Sequence, residues 1–544
     1  MSSQPSSPLF TKLPRELRQL VYEFYSYEPN GYFHNPTTNQ LRCRSEGEGG
    51  FKPPCLALMY TCKQAAAEMA EVPLRVNTIT FTSADTGITD MSSYRGVKSR
   101  AGRFHCLLFQ VHRAKKSMLL CAAKCVTPIL DLVKQKYPTV GPFLDGPFIE
   151  SRFQDGLRGI WVADAAAESQ GADAALDFID ALQYTLELAS THPEFHDLAS
   201  RTFDPEADTS MHAGDTARHF FMRVGALDAV LAWNPVPWTV PTENELLRME
   251  AYLEDPEPQC IAEPETFGDI YAKCKEFNWY FSATALAINF LETRLSTGQQ
   301  KNLRNVVLRD DFKSVSNPHV HARGLLPYLR NPTLHIEARA GLWANMLPPG
   351  FKRMFEVNMF RNGPDSSTRI YKGEALYGFG TWLCETAAIA SSQEVSSHNF
   401  SVVFDGHSDA SIMSIWTAMK ELAGLQEAMI ECYRRSDPNY TLPAFDESGV
   451  RPRRLYDAPM PCFLPNSFYQ KIKEMVLRTP TSIFRFDGDP GQLWDLEQLI
   501  TERQHWSQDD WRKEWRATII RRLLPLPGHN GWEGIRQKYR QAPA

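Results

Sequence analysis

The chain has no surplus of either charge sign large enough to define it: 58 Lys and Arg stand against 64 Asp and Glu, a net charge of -6. A protein held mainly by nucleic-acid phosphates carries a basic excess, so nucleic acid is not an expected partner. Long apolar runs are also missing. The most apolar helical stretch, Phe281 to Leu291, is interrupted by Asn289 and falls short of the ~20 residues that span a bilayer, so no membrane is expected either. The eleven cysteines show no repeated short spacing, which removes a zinc or disulfide framework. There is no Gly-Lys-Ser/Thr phosphate loop and no Gly-x-Ser-x-Gly nucleophile elbow. We therefore expect no cofactor and no enzymatic activity. The opening Met-Ser-Ser-Gln-Pro-Ser-Ser-Pro has no basic segment followed by an apolar one, so we expect a cytoplasmic or nuclear chain with reduced thiols, not a secreted one.

What is present is a large globular body. At 544 residues, 43% of them hydrophobic, the chain can build more than one compact unit of ~150 residues. The reading is α+β, mainly helical, in three parts: a small helical module over residues 1–90, a helical region over 91–265, and a mixed α/β region over 266–544. Pro14 to Tyr25 reads as a short helix. Leu17, Leu20, Val21 and Phe24 fall at i, i+3, i+4 and i+7, on one face. Pro14 suits a helix start, and Glu16 suits the positive end of the dipole. A helix this short cannot stand alone, so its apolar face must dock on something. The pattern does not say whether that is its own chain or another.

Residues 28–54 are rich in turn signals, among them Asn30-Gly31, Asn35-Pro36 and Pro53-Pro54, and read as an insertion outside the core. Helix then resumes from Leu56 until Pro73, and Val76 to Phe81 alternates as a strand. Further strands are expected at Leu303–Leu308, Leu334–Ile336, Phe400–Phe404 and Ile483–Phe486, with helices between them. That order implies parallel crossover units. The first two strands also fit a leucine-rich-repeat-like stack, as an alternative to an irregular α/β layer.

The chemistry-bearing pairs are mostly bland. His192 and His196 are one helical turn apart, but Pro193 stands where a zinc protease needs its neighbouring Glu. Cys121 and Cys125 read as buried thiols, His319 or His321 as satisfying a nearby carbonyl, and Trp511 with Trp515 as core. Lys115-Lys116 and Arg521-Arg522 read as solvated helix faces. Phe404-Asp405-Gly406 and Phe486-Asp487-Gly488 each end a strand. If those strands are parallel neighbours, Asp405 and Asp487 meet on the edge where open α/β sheets bind ligands, which admits a metal-dependent hydrolase. The alternative is turn chemistry, with Asp bonding its own backbone.

Leu13-Pro14-Arg-Glu-Leu17-Arg-Gln-Leu20-Val21-Tyr22-Glu-Phe24, Thr61-Cys62-Lys63-Gln64 with Glu68, and Asn77-Thr-Ile79-Thr-Phe81 together resemble the start of fungal (ascomycete) F-box-like proteins of an uncharacterised family. Leu303–Leu308, His321–Pro327 and Leu493-Trp494-Asp495 extend the resemblance over most of the chain. It departs from the pattern at the 28–54 insertion and in lacking a Trp two positions after Cys62. The resemblance implies a protein–protein interaction protein: a substrate receptor of a cullin–RING ubiquitin ligase. Leu13, Pro14, Leu17, Leu20, Val21 and Phe24 would then contact a Skp-type adaptor, and the remainder would recruit a protein substrate. A scaffold protein that keeps the module without binding a ligase is the alternative.

Overall fold

The computed structural model describes residues 10, 12–45, 50–85, 99–138, 140, 172–203, 222–253, 279–312, 314–342, 372–405, 410–436, 468–519 and 521. It is an α+β structure, mostly helical, around one eight-stranded mixed sheet. In chain order the elements used below are α1 (Arg15–Ser26), β1 (Tyr32–Asn35), β2 (Gln40–Arg44), β3 (Phe51–Lys52), α2 (Lys63–Met69), α3 (Val72–Val76), β4 (Thr78–Thr82), α4 (Arg100–Cys121), α5 (Ala172–Ala189), α6 (Glu243–Glu250) and α7 (Ala283–Arg294). Then come β5 (Asn305–Asp310), β6 (His335–Gly341), α8 (Lys372–Ala390), β7 (Phe400–Asp405), α9 (Ala410–Ser436), α10 (Phe468–Val476), β8 (Phe484–Asp487), α11 (Leu496–Arg503) and α12 (Gln508–Ile519).

The strands lie in the order β3-β2-β1-β4-β5-β6-β7-β8. From β1 through β4 to β8 every neighbouring pair is parallel, while β2 and β3 fold back antiparallel. The expected strands of the C-terminal half are all found, and they are parallel neighbours. The reading of 28–54 as an insertion outside the core is corrected. Its turns join three strands, and Tyr32 and Phe33 pair with Ile79 and Thr80 of β4. Gly31 sits at the entry with φ +66, and any Cβ there would lie 2.3 Å from the Thr78 carbonyl oxygen. Glycine is therefore needed where β1 meets β4. One further expectation changes. Pro73 does not end a helix but sits in the first turn of α3, where its missing N–H costs nothing. The segment after Asn317 is a 3-10 helix, Pro318–Leu325, before a single α turn.

Strands added one after another in one direction, through right-handed crossovers, place every crossover on the same face. The packing agrees. On that face Phe290 of α7 meets Phe81 of β4 at 5.7 Å and His34 of β1 at 5.6 Å, Phe379 of α8 meets Phe404 of β7 at 4.8 Å, and Trp416 of α9 stacks on Phe486 of β8 at 4.3 Å. Alternation does the sorting: β4, β5, β6 and β8 each bury every second residue. α4, α5 and α6 come from the long connection between β4 and β5 and extend the same core. The Arg103 guanidinium, fully buried, ties α4 to α6 through Glu250 (2.6 and 2.7 Å) and Glu243 (2.5 Å). α7 has eight buried residues in its twelve, as an all-round apolar helix should. Among the described residues no helix is long and apolar enough to cross a membrane. Trp511 and Trp515 are core, and Ser507 with Asp510 forms a reciprocal cap of α12.

Two faces of one strand therefore carry different loads. Phe81→Ala on β4 should cost ~3–5 kcal/mol, whereas Thr80→Ala on the opposite face should stay within ~0.5 kcal/mol, read from denaturant midpoints of the two variants.

Candidate docking face on the first helix

α1 is amphipathic, but it buries its polar side. Arg18, Tyr22 and Ser26 are buried, at i, i+4 and i+8. Leu17, Leu20 and Val21 are 42–49% exposed and Phe24 is 81% exposed. Pro14 is also exposed and Leu13 half-buried. The residues singled out by spacing thus form an outward stripe, and none belongs to a buried hydrophobic cluster among the described residues.

The inversion has a local cause. The Arg18 guanidinium donates Nε to Glu68 Oε2 (2.9 Å) and Nη2 to Glu68 Oε1 (2.7 Å), a fork-on-carboxylate pair between α1 and α2, and its Nη1 donates to the Leu13 carbonyl at 2.8 Å. Tyr22 donates its hydroxyl to Glu68 Oε2 at 2.9 Å, and Gln64 Nε2 donates to Oε1 at 3.0 Å. The Glu68 carboxyl thus takes four donors, and the Arg18 bond above all holds it down to about 2. Below this knot Tyr22, Met69 and Val72 form a small core of their own, with Tyr25, Leu58, Met59 and Val76 against it. Asn77 fastens the module to the sheet: its Nδ2 donates to the Ser26 and Pro73 carbonyls (2.7 and 2.9 Å), and its Oδ1 accepts from the Glu28 N–H at 2.8 Å, one residue before β4. Spacing picked out the apolar stripe but passed over Arg18 and Tyr22, because their partner lies 50 residues away.

The other constellations are brought together less productively. Asp405 and Asp487 are register partners at the ends of β7 and β8, so the strand ends do converge. Asp487, however, accepts from Arg339 Nη1 at 2.9 Å, and Asp489 turns back to accept from the Gly491 N–H at 2.9 Å. Gly406, His407 and Asp409 lie outside the described residues. Among the described residues no three His, Cys, Asp or Glu side chains gather as metal ligands would. His192 accepts from the Glu194 N–H, Cys121 bonds Thr202, and Cys125 is buried. His321 does bond a carbonyl, that of Ser316, at 2.7 Å, and its Nδ1 meets Ser282 Oγ at 2.6 Å. Both are buried, and Ser282 caps α7, so the pair positions a helix. The reading of Lys115-Lys116 as a solvated face is corrected: both are buried. Lys115 Nζ donates to Gln183 Oε1 (2.7 Å) and the Trp233 carbonyl (2.9 Å), neutral acceptors that satisfy it while burial lowers its pKa to about 8. No family model, curated protein or solved structure matches the chain.

Asp310 is a carboxyl that sequence reading missed. It is buried at the end of β5 and accepts from the Ala283 N–H, the first of α7, at 2.7 Å. Burial pushes it up to about 7, against the pull of that N–H. Because the folded value lies above the ordinary 3.8, the retained proton stabilises the fold fully below that pH, and the contribution is lost as pH rises through about 7. Asp310→Asn should therefore gain stability relative to the parent as pH rises from about 4 to about 8, in parallel denaturation series. A difference flat over that range would place a charged carboxylate in the fold. Arg18→Ala should raise amide exchange in residues 15–26 about tenfold or more while leaving β4–β8 unchanged.

Proposed function

We propose that the chain is a protein–protein interaction protein whose N-terminal module docks a partner through α1, as an F-box-like receptor docks a Skp-type adaptor, while the body carries the surface that recruits a protein target. The observation that carries this reading is the outward stripe of Leu17, Leu20, Val21 and Phe24 on a helix whose Arg18, Tyr22 and Ser26 are buried. Burying a side chain of this size is worth ~1.5–3 kcal/mol, so the free chain forgoes stabilisation that a partner groove would supply. The i, i+3, i+4, i+7 anchor pattern is the one that helix-in-groove recognition uses. A patch of this kind beside polar groups marks an interaction site on a folded protein. Three short helices, with a Cys at the cap of the second and a strand directly after the third, support the F-box-like reading. The monotonic parallel order from β4 to β8 is compatible with a receptor body built as an open repeat-like layer.

Purified full-length chain, mixed with purified Skp-type adaptor, should form a complex. The double variant Leu17→Asp, Val21→Asp should weaken it by at least about thirtyfold, the equivalent of ~2 kcal/mol, with an unchanged far-ultraviolet spectrum. Equal binding by that variant, or no binding by the parent, would remove the ligase reading.

A further inference from the structure

The sheet has a second face, turned away from the helices, and its charge is unevenly spread. Register fixes who sits where. The outward positions of β4 are Thr78, Thr80 and Thr82, and those of β5 are Asn305, Val307 and Arg309, with Thr82 beside Arg309. Across β4, Thr80 pairs with Phe33 of β1, and Phe33 pairs with Arg42 of β2. Arg44 stands two residues on, opposite Phe51 of β3. The intervening Leu41 and Cys43 face the core, so both arginines share the outward side. The Arg44 guanidinium lies over the Phe33 ring, 5.5 Å from its centre, and Phe51 closes edge-on at 5.7 Å.

No carboxylate occupies an outward position on β2, β1, β4 or β5, and none of Arg42, Arg44 and Arg309 has an ion pair among the described residues. One strand further along, the contrast is direct. Arg339, beside Arg309 in register, is held by Glu337 at 2.7 Å and by Asp487 at 2.9 Å. Arg339 of β6 is neutralised within the sheet, whereas Arg42, Arg44 and Arg309 over β2–β5 have no carboxylate partner among the described residues, on a chain that is acidic overall. Over β7 the same side is closed, since Ser401 and Val403 are buried.

We propose that the β2–β5 face binds an acidic polypeptide segment in extended form. Strands are ~4.8 Å apart and rise ~3.3 Å per residue, so by register the Arg42 backbone stands ~16 Å and the Arg44 backbone ~20 Å from that of Arg309, a span that about five or six extended residues cover. Arginine forks grip carboxylates in pairs of hydrogen bonds, and a floor of threonines offers hydroxyls between the two ends. The patch is bounded by the carboxylates of β6 and β8, which disfavours a long polyanion such as a nucleic acid, whose binding needs continued basic surface. Assigning the face to the recruited target rests on the receptor reading above; the binding itself does not.

The test uses the full chain and a fluorescein-labelled decapeptide of alternating Asp and Glu, followed by anisotropy at two salt concentrations. The parent should bind, more weakly at high salt, and Arg42→Glu, Arg44→Glu, Arg309→Glu together should weaken binding about tenfold or more. The milder triple change of the same residues to Gln should weaken it in the same direction, which guards against misfolding of the charge-reversed chain. Leu17→Asp, Val21→Asp should leave peptide affinity unchanged, separating this face from the adaptor surface. A parent that ignores the acidic peptide, a triple variant that binds as well as the parent, or a single-stranded DNA oligonucleotide held more tightly through the same arginines would overturn the proposal.

Discussion

One part-buried ion pair decides which way the first helix faces. Arg18 and Glu68 meet as fork and carboxylate, and Tyr22 shares the same acceptor. Removing the Glu68 carboxylate would leave the buried Arg18 guanidinium without its charge partner, and that penalty favours the rotation of α1 in which the pair forms. Once Arg18 and Tyr22 point inward, helical geometry leaves Leu17, Leu20, Val21 and Phe24 outside. The apolar stripe is exposed as a consequence of a polar contact, an arrangement that makes sense when the apolar side is reserved for another chain.

The module is not an appendage. Asn77 bonds the ends of α1 and α3 one residue before β4, and β1 and β4 are parallel neighbours in the sheet. Docking at α1 would therefore be mechanically continuous with the sheet on which Arg42, Arg44 and Arg309 are displayed. The long connection between β4 and β5 supplies α4–α7, which pack on one side of the sheet, while Arg42, Arg44 and Arg309 stand on the other. The same logic operates at both proposed surfaces: side chains whose interactions are satisfied within the chain define a scaffold, and those left over define where it meets something else.

Much of the body was legible in advance. β5, β7 and β8 announce themselves by β-branched and aromatic residues and β6 by its place after Asn331-Pro332, and the helices between them imply parallel pairing. The 28–54 segment was misread because Asn30-Gly31 and Asn35-Pro36 mark turns truthfully, while the strands beside them span only two to five residues and carry no apolar run of their own. Their membership in the sheet is a tertiary fact. The docking stripe was visible as a period of 3.6, but its direction was not, since it depends on Glu68 in another helix. Lys115 was misplaced for a related reason: acceptors as remote in sequence as Gln183 and Trp233 make a buried ammonium tolerable.

The most direct measurement is hydroxyl-radical footprinting of the free full-length chain, read residue by residue over 13–27. The account predicts that Leu17, Leu20, Val21 and Phe24 are modified about as fast as in the isolated peptide, while Tyr22 is protected. Protection of Phe24 and Leu20 with ready modification of Tyr22 would mean the helix turns its apolar side into its own fold, and the docking account would be wrong.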